Sequence, residues 1–286
     1  MAVATSPRIR ARAVDDRDEI AAFLRRDRLY AAYALGDLDG PTRGRVAWAM
    51  AYDEAGRPTA LAMHHDGLVP QPLFLMGAPD GCRAILEHVL KPRDAYLQGT
   101  ELHEAALRDI YDLDAPTLML RMVVDRSTFV PFEGPAERLT SANIDELNRL
   151  YQLGFRAGFP GSVLDDGVYY GVRVADRLVS AAGTHAINPT ERIAVVGNVM
   201  THVEFRGNDF AKMVTSAVTA ELLDRVDDVA LNVHADNEPA VAAYTRLGYR
   251  THCQLTERLV RRRAGGWGLI RPIREAMRIP WQRESK

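Results

Sequence analysis

The stretch "VMTHVEFRGNDFAKM", residues 199–213, joins an apolar run to a helical pattern through a short polar loop. Strand, loop and helix in that order suit an anion, because the first N–H groups of a helix lack intrahelical partners and point outward. Arg206 adds a guanidinium that can hold a phosphate with paired hydrogen bonds, and Gly207 lets the backbone approach a ligand closely. Asp209 stands against this reading, since its carboxylate repels a phosphate unless it turns away or pairs with Arg206 or Lys212. At about 4 Å and an effective dielectric near 20, one like-charge contact costs about 4 kcal/mol, and solvent exposure shrinks that figure. Asp visits left-handed backbone more readily than most residues, so the turn itself tolerates it.

A second stretch, "LNVHADNEPAVAAYTRLGY" (231–249), places Asn237 as a helix N-cap, Pro239 in the first turn and Gly248 at the helix end. Tyr244 lies one turn beyond Ala240. A phenol can protonate a departing thiolate because its pKa lies not far above that of a thiol. Each residue also has a plainer reading: Asn237 as a simple cap, Tyr244 as helix–sheet core, Arg206 as a solvated side chain.

Taken together and in this order, the two stretches resemble the signature segments of the GNAT superfamily of acyl-CoA-dependent N-acyltransferases. The resemblance covers residues 137–260 and implies that Val199, Met200 and Thr201 run beside the pantetheine arm of acetyl-CoA. It implies a pyrophosphate loop of Arg206, Gly207, Asn208, Asp209, Phe210 and Ala211, with Asn237, Ala240 and Tyr244 from the second segment. Tyr244 is the general acid on this reading. The family pattern has Gly where this chain has Asp209, so weakened binding of CoA is expected. Gly197, inside a strand rich in Val and Ile, suggests a bulge that splays the strand and frees an N–H near Val199 for the thioester oxygen. For the base that takes the amine proton, His185, His202, Glu191 and Glu204 are candidates, with a water chain as the alternative.

These segments need a scaffold. "STFVPFEGPAERL" (127–139) carries Pro131, Gly134 and Pro135 and reads as a break between two halves of similar layout. The expected division is residues 1–126, a linker at 127–136, an acyl-CoA-binding domain at 137–260 and a basic extension at 261–286. Strand candidates in the first half are 45–52, 59–66, 71–77 and 116–124, and helix candidates are 81–90 and 101–113. In the second half a hairpin is expected over 167–187 with its turn at Asp176-Arg177, then a strand at 192–203 and a helix at 210–226. A strand at 229–235, a helix at 238–248 and a strand at 249–260 complete the set. On the 210–226 helix, Phe210, Met213, Val214, Ala217, Val218 and Leu222 form one apolar stripe. The fold class is α+β, or mixed α/β: two tandem GNAT-like domains, each a twisted, mostly antiparallel sheet flanked by helices. "MGAPDGCRAI" (76–85) imitates the phosphate loop but lacks the arginine, so the first half reads as a degenerate copy.

Composition sets the outer limits. The chain has 286 residues, 47% hydrophobic and 26% charged, with net charge −2, the balance of a globular protein with ample core. Nothing in that charge suggests a nucleic-acid partner. Cys82 and Cys253 have no metal or redox spacing, and no metal is expected. No apolar run approaches the roughly 20 residues that cross a bilayer, and no signal peptide is evident, so a cytoplasmic protein is expected. The basic tail carries Trp267 and Trp281 and is expected to pack across a domain or a partner subunit rather than on a membrane. The expected activity is transfer of an acetyl group from acetyl-CoA to a primary amine of a small molecule or amino acid. A homodimer fits this reading, and an acyl-CoA sensor or scaffold is the alternative to an enzyme.

Overall fold

The computed structural model describes residues 9–40, 43–152 and 159–263. The basic tail therefore lies almost wholly outside the described residues. The strands are β1 Arg10–Val14, β2 Val46–Tyr52, β3 Pro58–His65, β4 Pro72–Gly77, β5 Asp94–Gly99, β6 Tyr111–Leu113 and β7 Thr117–Asp125. They continue as β8 Glu137–Arg138, β9 Tyr169–Val174, β10 Arg177–Asn188, β11 Ile193–Thr201, β12 Asp228–His234 and β13 Arg250–Arg262. The helices are α1 Arg17–Leu24, α2 Ala32–Leu38, α3 Pro79–His88, α4 Glu101–Leu107, α5 Ile144–Tyr151, α6 Ser162–Asp166, α7 Phe210–Leu223 and α8 Glu238–Arg246.

The chain forms two compact units. Among the described residues, the first holds those within 9–130, 185–195 and 222–263, and the second those within 131–184 and 196–221.

In the first unit the strands run β1-β2-β3-β4-β5-β13-β7-β12, antiparallel except for β4 and β5. The last strand of the chain thus lies between β5 and β7. Helix α3 packs on β2 and β3 through Gly81, whose added Cβ would come within 2.6 Å of Ala60 Cβ. Beneath it Leu73, Leu75, Ile85, Leu86 and Leu97 are sealed from solvent.

A charged network runs through the middle of this sheet. Arg121 on β7 is fully buried, and its Nε donates to Asn232 Oδ1 at 2.9 Å and its Nη2 to Gln98 Oε1 at 3.1 Å. A further guanidinium N–H donates to the Tyr30 carbonyl. The same two amides turn their NH2 groups toward Glu257, at 3.1 Å from Asn232 and 2.8 Å from Gln98, and Tyr96 adds its hydroxyl at 2.9 Å. Cation and carboxylate are therefore joined through two amides, each accepting on one side and donating on the other, which meets the requirement that buried charge be hydrogen-bonded.

In the second unit β9 and β10 form the expected hairpin, with Leu139, Tyr151, Tyr169 and Leu178 in its core. Its turn is Ala175-Asp176, at φ 46 and 62, one residue earlier than the sequence suggested. Two consecutive left-handed residues are what a two-residue hairpin with natural twist needs. Helix α5 follows a capping box in which Thr140 and Asn143 bond reciprocally. On α7 Val214 and Val218 are buried as expected, but Phe210, Met213 and Ala217 are only half-buried. The opposite side is closed too, because residues 132–134 lie along it: Phe132 N–H donates to Ser216 Oγ at 2.8 Å.

Two further differences have tertiary causes. The helix expected over 101–113 stops at Leu107, because Tyr111–Leu113 pairs with β13. Strand β5 was not foreseen, although Ala95, Leu97 and Gly99 alternate inward.

Arg121→Met should destabilise the protein by about 3 kcal/mol, because it orphans three buried acceptors and leaves Glu257 without its counter-charge. Urea denaturation checks this, and a loss under about 1 kcal/mol would show that the network carries no such weight.

Candidate functional site

Strand β11 changes character midway. Ala194, Val195 and Val196 are buried, whereas every residue from Gly197 to Thr201 is half-exposed. The irregular residue is Asn198, at φ 55, beside the Gly197 singled out from sequence. Two tyrosines pin it: Tyr151 donates its hydroxyl to the Asn198 carbonyl, and the Asn198 amide donates to Tyr169 Oη at 3.1 Å. The end of the strand is tied by Ser180, whose hydroxyl donates to the Met200 carbonyl at 3.2 Å and lies 2.8 Å from Thr201 Oγ1. Val199, Met200 and Thr201 thus occupy a held but partly open strand end.

The chain then makes a 3-10 turn at Val203–Phe205 and enters the loop. Gly207 has φ +82, and Asp209 has φ +59, so both residues that flank Asn208 are left-handed. Asn208 locks the turn by donating its amide to the Phe205 and Arg206 carbonyls at 3.1 and 3.3 Å. A Cβ added at Gly207 would meet nothing within 4 Å, so its surface is open. Arg206 is exposed, and its guanidinium makes no ion pair or hydrogen bond among the described residues. Asp209 has a partner. Lys212 Nζ, on a nearly buried side chain, lies 3.0 Å from its carboxylate and 3.8 Å from the centre of the Phe132 ring. The pairing anticipated for this carboxylate is therefore present, with Lys212 rather than Arg206. Phe210 and Ala211 open α7 directly after it.

The imitation loop of the first half differs. At Gly77, φ +98, an added Cβ would come within 2.4 Å of the Thr59 carbonyl, and the Gly77 carbonyl lies 2.9 Å from His103 Nε2. That glycine serves packing, and the loop is filled by protein.

In the first unit, Asn237 caps α8 by accepting from the Ala240 N–H at 3.3 Å, which also occupies the one donor that Ala240 offers. Gly248 ends the helix at φ +90, where a Cβ would sit 1.9 Å from the Thr128 carbonyl. Tyr244 is 7% exposed, and burial pushes its phenol up to about 12. Its hydroxyl has no hydrogen-bond partner among the described residues, while its ring lies 6.0 Å from that of Tyr249. It is a protonated phenol at neutral pH. Asn237, Ala240 and Tyr244 are thus brought onto one helix, and Val199 to Ala211 onto one strand–loop–helix of the other unit.

The candidate bases separate cleanly. Glu191 is held by Arg25 at 2.8 Å and Arg17 at 3.2 Å, which keep its carboxyl below the usual range. His202 has Arg177 Nη2 2.7 Å from its Nε2, and its Nδ1 faces the Glu204 N–H. Glu204 is exposed, with its carboxylate 3.9 Å from Arg177 Nη1 and 3.7 Å from His202 Nδ1. His185 is exposed, and neither ring nitrogen has a hydrogen-bond partner among the described residues. Tyr33, unforeseen from sequence, lies beside it with ring centroids 4.7 Å apart. Arg121 was likewise missed, although a charge inside the apolar run "LMLRMVV" is a visible signal.

Residues 169–259 match the family described as FR47-like protein. Solved structures of similar fold include a putative acetyltransferase of the GNAT family from Novosphingobium aromaticivorans. It is 23% identical over 67% of this chain and 84% of its own, with a TM-score of 0.52. The chain has the fold of the GNAT acetyltransferases, and residues 169–259 carry the FR47-like segment. A GCN5-related N-acetyltransferase from Sphaerobacter thermophilus is 16% identical over 88% of this chain and 95% of its own, at TM-score 0.55. A tandem GNAT protein from the clavulanic acid biosynthesis pathway is 13% identical over 89% and 98%, at TM-score 0.53. No curated protein matches the sequence. Among the described residues, no helix is long and apolar enough to cross a membrane, and no group of three or more His, Cys, Asp or Glu is placed to hold a metal.

Asn237→Ala should cost about 1 kcal/mol of stability, the usual worth of an N-cap. Thermal unfolding of the variant without ligand measures it, and an unchanged midpoint would remove the cap from the account.

Proposed function

We propose that the protein transfers an acetyl group from acetyl-CoA directly to a primary amine of a small molecule or amino acid, without a covalent enzyme intermediate. The observation that carries this reading is the loop at the start of α7. Gly207 is left-handed and uncrowded, and Arg206 beside it is unpartnered. Such a loop offers backbone N–H groups and a guanidinium to a pyrophosphate. Arg206 to Ala211 hold the pyrophosphate in this reading, and the backbone of Val199 to Thr201 accompanies the pantetheine. Tyr244 protonates the departing thiolate, a role supported by its unbound hydroxyl and its raised pKa. Asn237 and Ala240 border the ligand, and no metal takes part. Residues 1–126 and 137–260 are read as the two repeated halves of a tandem protein, joined at 127–136, with the extension 261–286 beyond them. The reaction is placed in the cytoplasm, and a homodimer is compatible with it.

A second reading, an acyl-CoA sensor without turnover, is favoured by Asp209, whose carboxylate stays half-exposed at the loop even while paired. Thiol release from acetyl-CoA in the presence of a panel of amines separates the two. The enzyme reading expects release that drops at least about 100-fold in Tyr244→Phe with binding of acetyl-CoA unchanged. Binding without release on any amine supports the sensor, and no binding at millimolar acetyl-CoA ends both.

Two variants of condition and sequence extend the test. Since burial holds the Tyr244 phenol up to about 12, this group should cause no alkaline fall in kcat below about pH 11. Asp209→Gly should tighten acetyl-CoA binding about tenfold in calorimetry, because it frees Lys212 and keeps the φ that the turn requires. Equal or weaker affinity would overturn this account of the loop.

A further inference from the structure

The proposed reaction needs a group to take the proton that the attacking amine loses, and the structure leaves one of the four candidates uncommitted. We propose that His185 accepts this proton and that Tyr33 is its positioning residue, which brings a side chain from the first half of the chain into the reacting site. The proposal rests on the acyl-transfer reading above.

Both residues belong to the first compact unit, and both are tightly placed. Helix α2 lies against β10 through Gly36, where an added Cβ would come within 2.3 Å of Ala186 Cβ. Asn188 fastens the same two elements by donating to the Leu35 carbonyl at 2.7 Å. Between these ties, the Tyr33 ring meets the His185 ring at 4.7 Å and a 47° interplanar angle. The Tyr33 ring is itself fixed from the other direction by the Arg121 guanidinium, 4.7 Å from its centre. Its hydroxyl lies toward the backbone of Asn232 on β12. Burial first, then Glu257 and Tyr244, raise the Tyr33 phenol, which places Tyr244 within electrostatic reach of Tyr33. His185 has two ring nitrogens with no hydrogen-bond partner among the described residues, on a side chain that still reaches solvent.

The titratable and charged groups facing His185 are Arg121 from β7, His65 from β3 and Tyr33 from α2. The ring lies in a recess that still opens to solvent, so the surrounding protein, with Arg121 and His65 adding to it, holds the imidazole below its usual range, by less than full burial would. The neutral ring, the form that can accept a proton, is therefore favoured. It is too weak a base to deprotonate a free alkylammonium, and it does not need to. Once the amine nitrogen has bonded to the carbonyl carbon, its N–H is far more acidic. The step balances: the C–N bond forms, the new ammonium nitrogen gives one proton to the imidazole, and the C–S bond breaks as sulfur takes the Tyr244 proton. Imidazolium and phenolate remain, and proton exchange with water restores both. The acceptor consequently arrives as the neutral amine.

The test uses the full chain with acetyl-CoA and glycine, benzylamine and spermidine as acceptors, with water as acceptor where none of these reacts. His185→Ala should lower kcat about 100-fold, a usual share for general base catalysis, and leave the calorimetric Kd for acetyl-CoA unchanged. Added imidazole should restore part of the rate to His185→Ala and none to His185→Asn. Tyr33→Ala should lower kcat about tenfold in the wild-type background and not at all in His185→Ala, the non-additivity expected of a residue that acts through another. A His185→Ala rate within threefold of wild type, or no rescue by imidazole, overturns the proposal; if that variant does not fold, His185→Gln is held to the same rate limit. Wild-type protein that fails to bind acetyl-CoA overturns the acyl-CoA reading itself. Binding without turnover on any acceptor or on water removes the base and leaves the sensor.

Discussion

The buried pair of Arg121 and Glu257 is the constraint on which the first unit is built. Neither charge could remain inside the sheet unpaired, since an uncompensated buried ion costs several kcal/mol. The solution is two amides set between them, from Gln98 on β5 and Asn232 on β12, each with its oxygen toward the cation and its nitrogen toward the anion. Four strands, β5, β7, β12 and β13, are thereby fixed in one register, because a slip of one residue would turn every member of the network to the opposite face. The guanidinium also bonds the Tyr30 carbonyl and lies against Tyr33, so the segment leading into α2 is drawn to the same place.

In the second unit the governing feature is backbone conformation. Gly207 and Asp209 both take left-handed angles, and only the first is a residue made for it. An Asp there is tolerated sterically and compensated electrostatically by Lys212, which is nearly buried against Phe132. The consequence for function is specific. The lysine that could face an anion is engaged with a carboxylate of the same loop, while Arg206 remains without a partner among the described residues.

Much of this was legible in the chain. The strand–loop–helix at 199–213 and the capped helix with Tyr244 were readable because their signals are local: an apolar run, a glycine, a capping Asn and a C-terminal Gly. The GNAT resemblance and the mixed α/β class followed from those signals. Tyr33 gave no such signal, since its place beside His185 depends on Gly36 meeting Ala186 some 150 residues away in sequence. The short strand β6 was read as helix because its partner, β13, comes from the far end of the chain.

The sequence by itself determined the elements, the loop and the identity of the groups able to do chemistry, because helix caps, turn residues and apolar periodicity act over a few residues. It also showed that His185, His202, Glu191 and Glu204 were candidates for one task. Only the tertiary structure decided among them. Whether an imidazole or carboxylate is free is a question of which other charges reach it: Arg17 and Arg25 reach Glu191 and Arg177 reaches His202, contacts that the chain order alone does not show.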